Sequence, residues 1–155
     1  MRLISSESKE PKRRRARVAT QTSVDRVRCV LRHEHKYLLV QHHSRRPENY
    51  DKWRLPGGRL KPHEEPKAGL RRELVEELRF RVVYLVELGD WPHRDENQRV
   101  FGCEIARSIK TFDADEIHSI GWFTYDGVRK LADTELLHTG FELAAIREFR
   151  RRFPS

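Results

Sequence analysis

Three glutamates have the most informative spacing in the chain. Glu73, Glu76 and Glu77 stand at i, i+3 and i+4 within R-R-E-L-V-E-E-L, and residues at those offsets share one side of a helix. On an isolated helix, like charges so placed repel by roughly a few tenths of a kcal/mol per pair. A divalent cation reverses that sign. Magnesium takes oxygen ligands, usually one or two carboxylates together with waters and substrate phosphates. Arg71, Arg72 and Arg79 lie among the glutamates and offer a plainer alternative, a solvated face of surface ion pairs. The helix taken alone leaves both open.

A carboxylate cluster works only if something holds it still. Leu70, Leu74 and Leu78 recur at four-residue spacing and predict the buried stripe of a helix over 65–78, with Pro66 suited to its first turn. Just before it, Trp53-Arg54-Leu55 leads into Pro56-Gly57-Gly58, a strong signal for a sharp chain bend. Upstream, 24–31 and 36–42 read as a hairpin around a polar turn, and 44–52 as a loop. Downstream, strands are expected at 80–88, 99–109 and 117–125, with 89–98 as a polar loop. A short helix at 126–132 and a terminal helix at 140–153 complete the pattern. Strands, a helix, more strands and a last helix predict an α/β (α+β) fold in which a mixed sheet is covered by helices.

The wider segment from Gly58 to Phe80 resembles the Nudix box, G-x5-E-x7-R-E-U-x-E-E-x-G-U, where U is a bulky apolar residue. Gly58 matches the opening glycine and Glu64 the first glutamate. Arg72, Glu73, Leu74, Glu76 and Glu77 fill the central block, and Phe80 the last apolar position. Ordinary residue frequencies give such a match by chance in about one chain in 10⁵. One position departs: Arg79 stands where the family has a helix-ending glycine, and a left-handed arginine there costs roughly 1 kcal/mol.

The resemblance implies a Nudix-type α/β/α sandwich and metal-assisted hydrolysis of a diphosphate linkage in a nucleotide-like substrate. Mg²⁺ is the implied ion, with Mn²⁺ as its substitute. By the same resemblance Glu73, Glu77, Glu76 and the Gly58 carbonyl are the metal ligands, and Glu64 and Arg72 pair behind them. Glu116, six residues before Trp122, resembles the family's later ligand or general base, ahead of Asp113 and Asp115; a box glutamate such as Glu76 or Glu77 is the alternative base. Arg28, Arg45, Arg46 and Arg54 are candidates for holding phosphates, and Tyr50, Trp53 and Trp91 for stacking on a base. His33, His35, His42 and His43 read as structural or exposed rather than as ligands.

Length and composition bound what remains. At 155 residues the chain fits one domain, and its net charge of +8 suits anionic partners. Residues 1–22 form a polar arm containing K-R-R-R-A-R, read either as mobile or as an RNA contact; 23–155 is the expected Nudix domain. Cys29 and Cys103 read as reduced, buried thiols. No signal-peptide pattern or membrane-length apolar run is seen, so a cytoplasmic location is expected, with a homodimer plausible from the family. Residues 95–98 lack the proline or tyrosine that marks the ADP-ribose and dinucleoside polyphosphate branches. The substrate reading therefore leans to nucleoside triphosphates, as in the MutT-like branch. Nucleotide-sugar or ADP-ribose-type diphosphatase, RNA 5′-pyrophosphohydrolase and a non-catalytic nucleotide- or RNA-binding module stand as rivals.

Overall fold

Strand β1 (Arg26–His33) has an alternating sequence, yet its interior is buried throughout. Both of its faces are covered, as expected for a strand at the centre of a layered fold. In the computed structural model, which describes residues 23–155, Val27, Cys29 and Leu31 pack on one side and Val30 on the other. The basic arm over 1–22 lies outside the described residues.

The expected hairpin forms between β1 and β2 (Lys36–His42). Its two turn residues, Glu34 and His35, both adopt positive φ (49° and 68°), the conformation that suits the twist of a two-residue hairpin loop. β1 meets β2 only near this turn. Its other half pairs instead with the short strand β3 (Gly57–Arg59). The residues just before β3 fill the opening: Arg54 exchanges backbone hydrogen bonds with Val40 of β2 (2.9 Å each way), and the Cys29 amide donates to the Pro56 carbonyl at 2.9 Å. The bend at Gly57-Gly58 is thus wedged into the middle of the sheet.

The next three strands are β4 (Val86–His93), β5 (Glu96–Glu104) and β6 (Ile117–Thr124). The sheet runs β4-β5-β1-β2-β6, with β3 attached to β1. β1 and β5 are parallel, while the other pairs are antiparallel. This is the mixed sheet the pattern predicts. Helix α1 (Pro66–Leu78) covers one face; α2 (Tyr125–Asp133) and α3 (Glu142–Arg152) cover the other. No helix of the described residues is long and apolar enough to cross a membrane.

Local chemistry sets the ends of α1. The Glu65 carboxylate accepts from the Lys67 and Ala68 amides, satisfying donors that a helix start leaves open. Arg79 ends the helix in the left-handed region (φ 52°, ψ 37°), as a glycine would. Leu70, Leu74 and Leu78 are buried against Val27, Cys29 and Leu31. On the opposite face, Val128, Ala145, Ile146 and Phe149 pack on Val30, Leu39 and Val100.

One region departs from the sequence reading. Residues 80–85 are not a strand, and 89–98 is not a loop. A β4–β5 hairpin, turning at Arg94 and Asp95, occupies the second stretch. Phe80, Val82 and Leu85 are apolar because they continue the α1 core, while Val83 and Tyr84 between them are exposed. The hairpin is polar because cross-strand pairs serve it: Arg99 Nε donates to Asp90 at 2.7 Å, and Asn97 Nδ2 to the same carboxylate at 3.0 Å. Pro92 fits because β4 is an edge strand, where a missing donor is tolerated.

Truncating the fully buried Leu74 tests this core. Leu74→Ala is expected to cost about 2–5 kcal/mol through lost burial and an unfilled cavity, read as a lower urea midpoint with an unchanged slope.

Candidate active site

Gly57 and Gly58 explain how the wedge reaches α1. Gly57 has φ 142°, and a Cβ there would lie 2.0 Å from the Val27 carbonyl oxygen. At Gly58 a Cβ would come within 2.5 Å of the Glu73 carboxyl carbon. Only glycine lets the bend and the helix approach so closely. The Gly57 amide then donates to Glu77 Oε1 at 3.2 Å, fixing a carboxylate that is only 2% exposed.

These residues form the acidic wall of a cavity of about 450 Å³. Gly58, Glu73, Glu77, Asp115 and Glu116 line it together with Arg26, Arg28, Arg54 and Arg59. Burial, and then the neighbouring Glu77 charge, raise the Glu73 carboxyl to about 7. Glu116 is also raised, first by burial and next by Glu77. Its loop is tied to the helix, because the Asp113 amide donates to the Glu77 carbonyl at 2.8 Å.

Behind this wall, Arg72 donates Nε and Nη2 to the two carboxylate oxygens of Glu64 at 2.8 and 2.9 Å. Its Nη1 reaches Glu73 at 3.2 Å and Glu76 at 3.3 Å. The arginine bond, aided by the Lys61 amide, lowers Glu64 to about 2. The same bond raises Arg72. One guanidinium thus ties the loop before α1 to the carboxylate face of the helix.

The predicted residues divide clearly. Gly58, Glu73, Glu77, Glu116, Arg28 and Arg54 meet at the cavity, whereas Glu76 is half-exposed beside Arg72 and does not line it. Arg46 lines an adjoining cavity, and Arg45 is exposed and lines neither. Tyr50 is half-exposed and stacks on His118 with centroids 4.3 Å apart. Trp53 packs edge-on against Phe123 at 4.9 Å, and Trp91 stacks on Phe141 at 6.0 Å; both rings pack against the core under α2 and α3. Neither tryptophan faces the cavity, because the core takes their apolar surface.

Sequence reading passed over several residues here. His42 and His43 line the cavity, and His42 Nε2 is buried without a hydrogen bond, 3.4 Å from Glu77 Oε2. Arg26 and Arg59 join through β1 and β3, both pairing with Glu96. Nothing in their spacing marks them; strand pairing alone brings them in.

The family model for the NUDIX domain matches residues 22–141. The chain belongs to the Nudix family. This Nudix protein is accordingly a hydrolase acting on nucleoside diphosphate derivatives. Solved structures share its fold. A Nudix hydrolase from Nitrosomonas europaea superposes with TM-score 0.65 at 23% identity, over 84% of this chain and 90% of that one. The MutT protein from Methanosarcina mazei Go1 gives TM-score 0.65 at 23% identity, over 87% and 99%. The NUDIX domain of Shewanella oneidensis NrtR, solved with ADP ribose, gives 0.67 at 19%, over 86% and 90%. Among curated proteins none matches this chain.

The Glu64–Arg72 pair predicts an acid-dependent stability. With its folded value depressed, Glu64 adds stability that is complete above the unfolded carboxyl's roughly 4.3 and is lost as pH falls toward 2. Glu64→Gln should therefore denature in less urea than wild type at pH 7, with the gap narrowing by pH 3. A gap that ignores pH would contradict the pairing.

Proposed function

We propose that this Nudix hydrolase is a Mg²⁺-dependent pyrophosphohydrolase of nucleoside triphosphates. One observation carries the reading: the carboxylates of Glu73, largely buried, and Glu77, fully buried, line one cavity with Gly58 and four arginines. Two adjacent buried carboxylates without a compensating cation are costly, and the raised Glu73 value expresses that cost. Among the described residues, no three His, Cys, Asp or Glu side chains form a ready-made cage. Such an arrangement suits magnesium, which keeps several waters and takes few protein ligands. The donor set, all hard oxygen, suits it too.

Magnesium bound there would offset charge on the phosphate oxygens and acidify a water. Glu73, Glu77 and the Gly58 carbonyl are the residues assigned to hold it. The Gly57 amide keeps Glu77 oriented, and Arg72 does the same for Glu73. Glu116, on the same cavity with a carboxyl raised by burial, is assigned to accept the water's proton. Arg28 and Arg54 neutralise the substrate's phosphates.

A screen of Mg²⁺-dependent phosphate and diphosphate release across nucleoside triphosphates, nucleotide sugars, ADP-ribose and triphosphorylated RNA tests the substrate. Triphosphates should be fastest; a preference for nucleotide sugars sinks that assignment. Glu77→Gln should lower kcat at least about 100-fold, the scale of a lost metal contact in the transition state, while leaving the circular dichroism spectrum unchanged. Metal-free stability gives a second check. Because Glu73 is raised to about 7, the folded state holds a proton that the unfolded state releases, so stability falls as pH climbs from about 4.3 through 7. Added Mg²⁺ should then raise Tm more at pH 8 than at pH 6, and an equal shift at both would speak against Glu73.

A further inference from the structure

A second cavity, of about 220 Å³, adjoins the carboxylate-lined one and shares Arg26, Arg28 and Arg54 with it. Arg46, Arg94, His93 and His138 add to its wall. Five arginines there face a single glutamate, Glu96, which already pairs with Arg26 and Arg59. Among the described residues, the other four arginines have no carboxylate within ion-pair distance. Arg28 is 4% exposed, and its side-chain bonds go to neutral oxygens, Gln98 Oε1 at 3.0 Å and the Leu55 carbonyl at 3.4 Å. Arg54 Nε is buried with no partner at all. Burial and the Arg54 charge hold Arg28 down to about 10; burial and the same Arg54 hold His138 at about 3, a neutral ring among cations.

Burying a cation is expensive and two side by side repel; Glu77 and Glu142 act on Arg28 and Arg54 without forming an ion pair with either, so both costs are offset only in part. An anion in the cavity removes both costs. A nucleobase would not, and no Phe, Tyr or Trp lines this wall to stack one. Guanidinium groups present forked donors that match phosphate oxygens.

We propose that this cavity binds a phosphoryl group of the substrate that lies outside the hydrolysed linkage, so that the enzyme selects substrates with at least three phosphoryl groups. The proposal rests on the carboxylate cavity being the place of hydrolysis. A nucleotide sugar or ADP-ribose spends both of its phosphates there, against the shared Arg28 and Arg54, and sets none against Arg46 and Arg94. A triphosphate extends one group further, into the arginine wall.

Two measurements test this separately. The first is calorimetric titration of inorganic tripolyphosphate and inorganic diphosphate into the full chain in EDTA. Tripolyphosphate should bind at one equivalent and at least about tenfold tighter, the scale of charge-assisted bonds. Arg46→Gln, at a residue that lines only the second cavity, should weaken it about tenfold or more and erase most of the difference. Arg94→Gln, on an exposed turn of the same wall, should do the same. The second is the ratio of kcat/KM for a nucleoside triphosphate over its own diphosphate with Mg²⁺, which should fall about tenfold in each variant. Equal binding of the two probes, equal losses on both substrates, or competition by an unphosphorylated nucleoside without tripolyphosphate preference would overturn the proposal. Failure of the hydrolytic reading looks different: no turnover of any diphosphate-linked substrate by wild type, with tripolyphosphate binding in EDTA intact.

Discussion

Glu73 and Glu77 repel each other in a buried setting, and the packing of α1 prevents them from escaping. Leu70, Leu74 and Leu78 lock the helix onto the sheet, so rotating the carboxylates outward would expose that stripe. Each leucine buried contributes about 1.5–3 kcal/mol, enough to hold a local arrangement that is unfavourable without a cation. The wedge completes the constraint from the other side: Gly58 abuts Glu73 and the Gly57 amide binds Glu77. Core, bend and ligands are therefore one mechanical unit, and weakening any part loosens the others.

Arg72 shows how little redundancy that unit has. Its three donor groups span the Glu64 loop, Glu73 and Glu76. A lysine would keep the charge but not the fork. The arginines of the same cavity work in the opposite sense: Arg26 and Arg59 share Glu96, while Arg28 and Arg54 have no ion-pair partner among the described residues. The cavity thus has two poles, one short of cations and one short of anions, and a metal–phosphate complex satisfies both.

Much of this was legible in the residues between Gly58 and Phe80. Their spacing located the helix, its buried stripe and its carboxylates, because these depend on local periodicity; the Glu64–Arg72 pair came from the resemblance to the Nudix box. Arg79 was expected to cost something at the helix end, and it does take the left-handed conformation. The β4–β5 hairpin was misread because its polar residues satisfy one another across strands, which a linear pattern does not display. The arginine wall was legible only in part. Arg28, Arg46 and Arg54 were candidates, but Arg94, His93 and His138 come from distant segments that meet only through the β1–β5 pairing and the chain before α3. Trp53 and Trp91 misled for a related reason: a large apolar ring has more to gain from the core than from an open cleft.

Strand β1 alternates a guanidinium destined for the phosphate side with an apolar side chain destined for α1. A shift of one residue in its pairing with β5 would exchange those sets, driving arginines beneath the helix and Val27, Cys29 and Leu31 into the anion cavity. Length variation of a single residue is therefore forbidden in this strand, whereas the exposed turn at Glu34 and His35 sits outside that register constraint. Divergence among proteins built on this plan should leave the central strand's count intact.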